Sequence, residues 1–222
     1  MRINQFVARA TGLSRRKADD SIRDRRVTVN GESAKIGQLI KAGDEVKLDS
    51  EPININHQRT LLVLDKPVDY VCSRNRQGNK TIYDLIPKKY HYLKPIGRLD
   101  KDTTGILLLT DDGQLSQELS HPKYNKEKIY TATLDKSLDK IDKLKLENGS
   151  VKLDNKPSLL KISKIGINKY SIEIHEGRNR QIRRTFNNLN YQILNLKRIQ
   201  FGPYNIDQLE GRPFTIINLN DS

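Results

Sequence analysis

Gly97-Arg98-Leu99-Asp100-Lys101-Asp102-Thr103-Thr104-Gly105-Ile106-Leu107-Leu108-Leu109-Thr110-Asp111-Asp112-Gly113 sets Asp100 between an arginine and a Thr-Thr-Gly turn that runs straight into four apolar residues. The apolar quartet reads as a buried strand and the turn as its entry. A carboxylate held at the edge of a core is expensive unless something uses it. The plainer alternative is a strand-entry turn whose aspartate only caps the loop. Asp102, two residues on, invites a two-carboxylate glycosidase reading. A cap on the Thr103-Thr104-Gly105 turn is the reading favoured for it.

Outward from this stretch, Leu61-Leu62-Val63-Leu64 is a second buried-strand candidate, and Tyr130–Leu134 and Tyr170–Ile174 alternate as half-buried strands do. Helices are expected at Gln114 to Ser120, around Leu138 to Leu146, and at Asn179 to Leu189, where Ile182, Phe186 and Leu189 recur at helical spacing. Helices scattered among non-parallel strands predict an α+β domain, a mostly antiparallel mixed sheet flanked by helices. This domain is expected to span residues 61–222.

Residues 1–49 read as a separate unit. A first helix from Ile3 to Ala10 buries Phe6, Val7 and Ala10 and stops near Gly12, and Ser14 caps a second. In the second, Leu13, Ala18 and Ile22 face inward, leaving Arg15, Arg16, Lys17, Arg23, Arg25 and Arg26 outside. Short extended pieces follow at Val27–Val29 and Glu45–Leu48, with turns at Asn30-Gly31 and Lys41–Asp44. Residues 1–26 hold eight Lys/Arg against three Asp, which favours nucleic-acid contact over an ordinary solvated face. Residues 50–60, polar and without a sustained period, read as a linker.

The 222-residue chain carries a formal charge of +13, which calls for a polyanionic partner, nucleic acid before an anionic membrane. No apolar run reaches the roughly 18 to 20 residues of a membrane span, and no signal-peptide core follows Met1. A cytoplasmic protein is expected, and nothing in the sequence demands more than a monomer. Cys72 is the only cysteine and reads as a small buried residue. His57, His91, His121 and His175 fall at no metal-ligand spacing, and no phosphate-binding or dinucleotide loop is present. Neither a metal nor a cofactor is expected.

Three segments join the opening one. Leu64-Asp65-Lys66-Pro67 puts a lysine and a rigid proline at a strand end. Lys128-Ile129-Tyr130 puts a cation and a phenol on one side of a strand. Glu176-Gly177-Arg178-Asn179-Arg180-Gln181-Ile182-Arg183-Arg184 leads from a glycine turn into an arginine-rich helix, whose bland reading is a surface helix of a basic protein. Together with residues 97–113, these resemble the pseudouridine synthases of the RsuA/RluB type. Leu13-Ser14-Arg15-Arg16-Lys17-Ala18 and Val27-Thr28-Val29-Asn30-Gly31 resemble the alpha-L RNA-binding module first known from a ribosomal protein.

The resemblance implies a pseudouridine synthase fold and cofactor-free isomerisation of a uridine in 16S or 23S ribosomal RNA, free or within an assembly intermediate. It implies Asp100 as the essential acid and Arg183 paired with its carboxylate, which would leave the aspartate ionised as a nucleophile. It implies a tyrosine, Tyr130, packed against the base, with Ile182 lining the pocket and Arg98 inserting as the base leaves its stack. Lys128, Arg178 and Arg180 join these as substrate-binding residues. Asp69 and Asn190 stand where the family commonly has glycine, and since both types tolerate a left-handed backbone, the turns are expected to survive. Two rivals remain: a non-catalytic RNA-binding assembly factor, which has no need of Asp100, and a base-releasing glycosidase.

Overall fold

The computed structural model describes residues 1–55, 59–76 and 78–219; His57 and the middle of the expected linker lie outside the described residues. The described chain divides into two compact units, residues 1–59 and 60–218.

In the first unit, α1 (Ile3–Thr11) ends on Gly12, whose φ of 76° is the left-handed conformation that glycine adopts without strain. α2 (Arg15–Arg23) starts at Ser14, whose hydroxyl accepts from the Lys17 N–H at 3.2 Å. β1 (Val27–Val29), β2 (Glu32–Ser33), β3 (Val46–Leu48) and β4 (Glu51–Pro52) form an antiparallel sheet in the order β2-β1-β3-β4. Part of the expected linker is thus strand. Ile3, Val7, Ala18, Ile22, Val27 and Val46 form the core, while Phe6 and Ala10, expected inside, are only partly covered.

The second unit follows with β5 (Arg59–Lys66), β6 (Tyr70–Val71), β7 (Lys80–Thr81), β8 (Lys94–Pro95), β9 (Thr104–Thr110), α3 (Gly113–Ser120), β10 (Lys128–Leu134) and α4 (Lys140–Glu147). It continues with β11 (Lys152–Leu153), β12 (Lys156–Pro157), β13 (Lys161–Gly166), β14 (Lys169–Ile174), α5 (Gln181–Asn187), β15 (Ile193–Phe201), β16 (Tyr204–Asn205) and β17 (Phe214–Leu219). The main sheet runs β13-β14-β10-β15-β9-β5-β17, with β8 on β9 and β16 on β15.

The continuously apolar runs of β5 and β9 lie side by side in the interior of the sheet, where both faces are covered. The strands β10 and β14, with alternating burial, bury one face of the same sheet, and β13, with Lys161 and Lys164, forms its edge. Within this largely antiparallel sheet β9 and β15 pair in parallel, Thr104 with Lys197 and Gly105 with Arg198. That pairing sets the turn before β9 beside the strand that follows α5. Asp69 (φ 70°) and Asn190 (φ 59°) are both left-handed, as expected for glycine-like turns.

Candidate active site

The loop ahead of β9 is held through its backbone. Thr103 N–H donates to the Asp100 carbonyl at 3.1 Å, and Asp69 N–H to the Lys101 carbonyl at 2.9 Å. Lys66, fully buried at the end of β5, donates from Nζ to the carbonyls of Thr103 (2.8 Å), Pro67 (2.9 Å) and Lys101 (3.4 Å). Arg183 Nη2 takes the Asp102 carbonyl at 2.8 Å, and the Cys72 thiol takes that of Leu99 at 3.4 Å. Five consecutive carbonyls, residues 99 to 103, therefore have donors, so the Asp100 side chain projects from a fixed support. Burial pushes the Lys66 ammonium below its usual range and the Cys72 thiol above its own.

Gly105 completes the support. Its φ is +102°, and a Cβ there would lie 2.1 Å from the Arg198 backbone oxygen, so the parallel pairing of β9 with β15 requires glycine.

A cavity of about 590 Å³ opens above this loop. Asp100, Tyr130, Arg183, Arg98, Ile182, Lys128, Arg178 and Arg180, the eight site residues expected in this unit, all line it. Tyr130 lines the cavity while its ring also belongs to the sheet core. Arg98 is exposed and makes no ion pair or hydrogen bond among the described residues, leaving its guanidinium free to reach a ligand. Eight lysines and arginines line the cavity against two carboxylates, Asp100 and Glu176.

The carboxylate partners differ from expectation. Arg183 does not pair with Asp100; it donates to the Asp102 and Ile193 carbonyls, with Nε 3.3 Å from the Asp102 carboxylate. Arg180 is the cation nearest Asp100, at 3.7 Å, and it also grips the Asp102 carboxylate in a fork at 2.8 and 3.0 Å. Both guanidiniums sit at the start of α5, three residues apart; Arg180 hydrogen-bonds the Asp102 side chain, whereas the hydrogen bonds of Arg183 go to backbone carbonyls. Asp102 consequently does not cap the Thr103-Thr104-Gly105 turn. The Arg180 hydrogen bonds, then the Arg183 charge, hold its carboxyl below the usual range. It does not line the cavity, so it is not placed as the second acid that the glycosidase reading asked of it.

Arg178 is also largely committed. Its guanidinium donates to the carbonyls of Leu153 (2.7 Å), Pro157 (2.7 Å) and Lys156 (3.3 Å) and to Glu176 (2.8 Å), pinning the β11–β12 hairpin. Arg184 pairs with Asp154 of the same hairpin. Arg198, which the sequence reading passed over, is buried in the same cavity wall. No group of His, Cys, Asp and Glu among the described residues is arranged to hold a metal ion.

In the first unit, Arg15, Arg16, Lys17 and Arg25 are exposed and make no ion pair among the described residues, whereas Arg23 pairs with Asp20 and Arg26 with Asp49. The first turn of α2 thus holds three cations and no acid. A helix N-terminus disfavours such charge unless an anion is present.

Comparison with known proteins bears on both units. The RNA pseudouridylate synthase family matches residues 60–188, and the S4 domain family matches residues 1–46. An uncharacterized RNA pseudouridine synthase of Aquifex aeolicus is 34% identical over 98% of this chain and 90% of its own length. The ribosomal large subunit pseudouridine synthase B of Bacillus subtilis is 32% identical, covering 92% of this chain and 87% of the relative. The ribosomal small subunit pseudouridine synthase A of Yersinia pestis is 32% identical over 97% and 95%. A crystal structure of a pseudouridylate synthase superposes with a TM-score of 0.68 at 29% identity, covering 99% of this chain and 96% of that one. No helix among the described residues is long and apolar enough to cross a membrane. With its second unit matched over more than half of the chain, this protein belongs to the RNA pseudouridylate synthase family, with an S4 domain at its N-terminal end.

Proposed function

We propose that this protein isomerises uridine to pseudouridine in ribosomal RNA, with Asp100 as the essential acid and no cofactor. The observation that carries the reading is the Asp100 carboxylate on a loop with all five carbonyls tied down, sharing a cation-lined pocket with Tyr130 and Ile182. Relatives named for both ribosomal subunits favour ribosomal RNA as the substrate class.

The reaction breaks the bond from ribose C1′ to uracil N1 and makes one from C1′ to C5. Whether Asp100 attacks C1′ or removes a proton from the sugar, its carboxylate has to lie against the ribose, and Arg180 at 3.7 Å supplies the counter-charge. Tyr130 and Ile182 frame the detached ring so that it turns in place. A uridine leaves its stack at a cost of a few kcal/mol, and the unpaired guanidinium of Arg98, next to Asp100, is placed to occupy the gap. The exposed cations at the start of α2 hold RNA phosphates without reading sequence.

Pseudouridine mapping of ribosomal RNA from cells lacking the gene, and from the same cells complemented with wild type or Asp100→Asn, tests the proposal. One site should vanish on deletion and return only with wild type, which also names the subunit. Identical maps would overturn the reading and favour the assembly-factor alternative.

A further inference from the structure

Arg198 faces the cavity from β15 and is only 2% exposed. Its Nε donates to the Ile106 carbonyl at 2.9 Å, and its guanidinium carbon lies 4.8 Å from the centre of the Phe201 ring. Its Nη2 is buried without any hydrogen-bond partner. Lys128, on the adjacent strand β10, lines the same cavity with Nζ 5.2 Å from the same ring. Neither cation makes an ion pair among the described residues. Glu176, the carboxylate whose charge reaches Lys128, is taken by Arg178 and Gln181. Burial and the Arg198 charge together push the Lys128 ammonium below its usual range.

Two like charges over one ring, one with an orphaned donor, are costly without a counter-charge. A ring face attracts cations but offers no acceptor to Nη2. A permanent anion bridging the two side chains removes both costs, and a guanidinium fork beside an ammonium suits phosphate oxygens. The strand register gives the position: Tyr130 lies directly across from Arg198, and Lys128 across from Phe201. The cation pair therefore lies immediately beside the tyrosine on the cavity floor.

We infer that Arg198 and Lys128 form a phosphodiester-binding site that receives a backbone phosphate of the nucleotide whose base packs on Tyr130. This rests on the reading above that the cavity takes a uridine. The site would anchor the flipped nucleotide by its backbone while the glycosidic bond is open.

Titration of the full chain with uridine, uridine 5′-monophosphate, uridine 3′-monophosphate and inorganic phosphate tests the site, read by calorimetry and by the Arg198 Nε resonance. One of the monophosphates should bind about tenfold or more tighter than uridine, and both that ligand and inorganic phosphate should move the resonance. Lys128→Gln and Arg198→Gln should each reduce the monophosphate to the affinity of uridine. Because Arg198→Gln removes a bond to β9, the more accessible Lys128→Gln carries the test if the other variant folds poorly. Equal affinities for uridine and both monophosphates, an unmoved resonance, or a preference that survives Lys128→Gln would overturn the site. Pseudouridine formation by wild type is assayed separately: activity without phosphate preference fails the site alone, and phosphate preference without activity fails the reading of the reaction.

Discussion

The Lys66 ammonium donates to the carbonyl oxygen of Thr103 at 2.8 Å across 37 residues of chain, and no carboxylate lies at ion-pair distance from it among the described residues. A charge is spent here on carbonyls of the loop that carries Asp100. Lys66→Met takes the Lys66 donor from the Thr103 carbonyl, a penalty of about 1–3 kcal/mol, while the Lys101 carbonyl keeps the Asp69 N–H. Spread over loop order, this should lower kcat about ten- to a hundredfold while RNA affinity changes little. Single-turnover kinetics beside an RNA-binding isotherm checks the split, and an equal loss in both would mean that Lys66 serves overall stability instead.

Gly105→Ala should be among the most damaging single changes in the second unit. The new Cβ would meet the Arg198 backbone oxygen at 2.1 Å and sit at a φ of +102°, so no rotamer relieves it. Strain at such a position combined with loss of strand pairing is expected to cost about 4 kcal/mol or more. Urea unfolding of the variant checks this, and a midpoint close to wild type would refute it.

The particular residues show why some of this was legible and some not. The apolar quartets of β5 and β9 and the helical spacing of Ile182 and Phe186 are local patterns, so they predict the elements that form. Asp69 and Asn190 are legible for the same reason, since a left-handed turn needs only its own residue type. The parallel pairing of β9 with β15 joins segments some ninety residues apart and leaves no local mark. Lys197 and Arg198 show the limit most clearly. They are adjacent cations in one strand, yet Lys197 turns outward to Asp65 at 3.0 Å while Arg198 turns into the cavity. Only the bulged register of β15 against β10 decides which is which. Likewise Arg180 and Arg183 are both within reach of the loop, and their assignment to side chain and backbone depends on its three-dimensional course.

Asp102 should contribute to acid stability with a definite sign. Its carboxyl lies below the ordinary 3.8 in the folded protein because Arg180 hydrogen-bonds it. A carboxylate depressed in this way adds stability that is fully present above 3.8 and is lost as pH falls through the folded value. Asp102→Asn should therefore be less stable than wild type at neutral pH, and the gap should close as pH falls through the folded value. Half the Asp102 side chain is exposed, so the gap should be modest. Paired urea titrations across this range check it, and a gap that widens toward acid would contradict the pairing.

Arg178 is expected to act on structure more than on RNA. With its guanidinium shared among three carbonyls of the β11–β12 hairpin, Arg178→Gln should expose residues 152–157 to proteolysis and lower stability by about 1–3 kcal/mol. The salt dependence of RNA binding should stay close to that of wild type. A clear drop in salt slope with an intact hairpin would return Arg178 to the substrate-binding residues.

The cations around α2 divide by their partners, and the division should be measurable. Arg23 and Arg26 are compensated by Asp20 and Asp49, whereas Arg15, Arg16 and Lys17 crowd a helix N-terminus with no acid to offset them. Each phosphate contact contributes about 0.9 to the slope of log affinity against log salt on duplex nucleic acid and about 0.7 on single strands. Replacing Arg15, Arg16 and Lys17 with glutamine should flatten the slope by up to about 2 to 3 on a ribosomal RNA fragment, whereas replacing Arg23 and Arg26 should change it far less. The triple variant should also be slightly more stable, because three charges unfavourable to the helix dipole are gone. A steeper loss from the Arg23 and Arg26 pair would show that their carboxylate partners give way to RNA on binding, and an unchanged slope in both would make the whole face an ordinary solvated one.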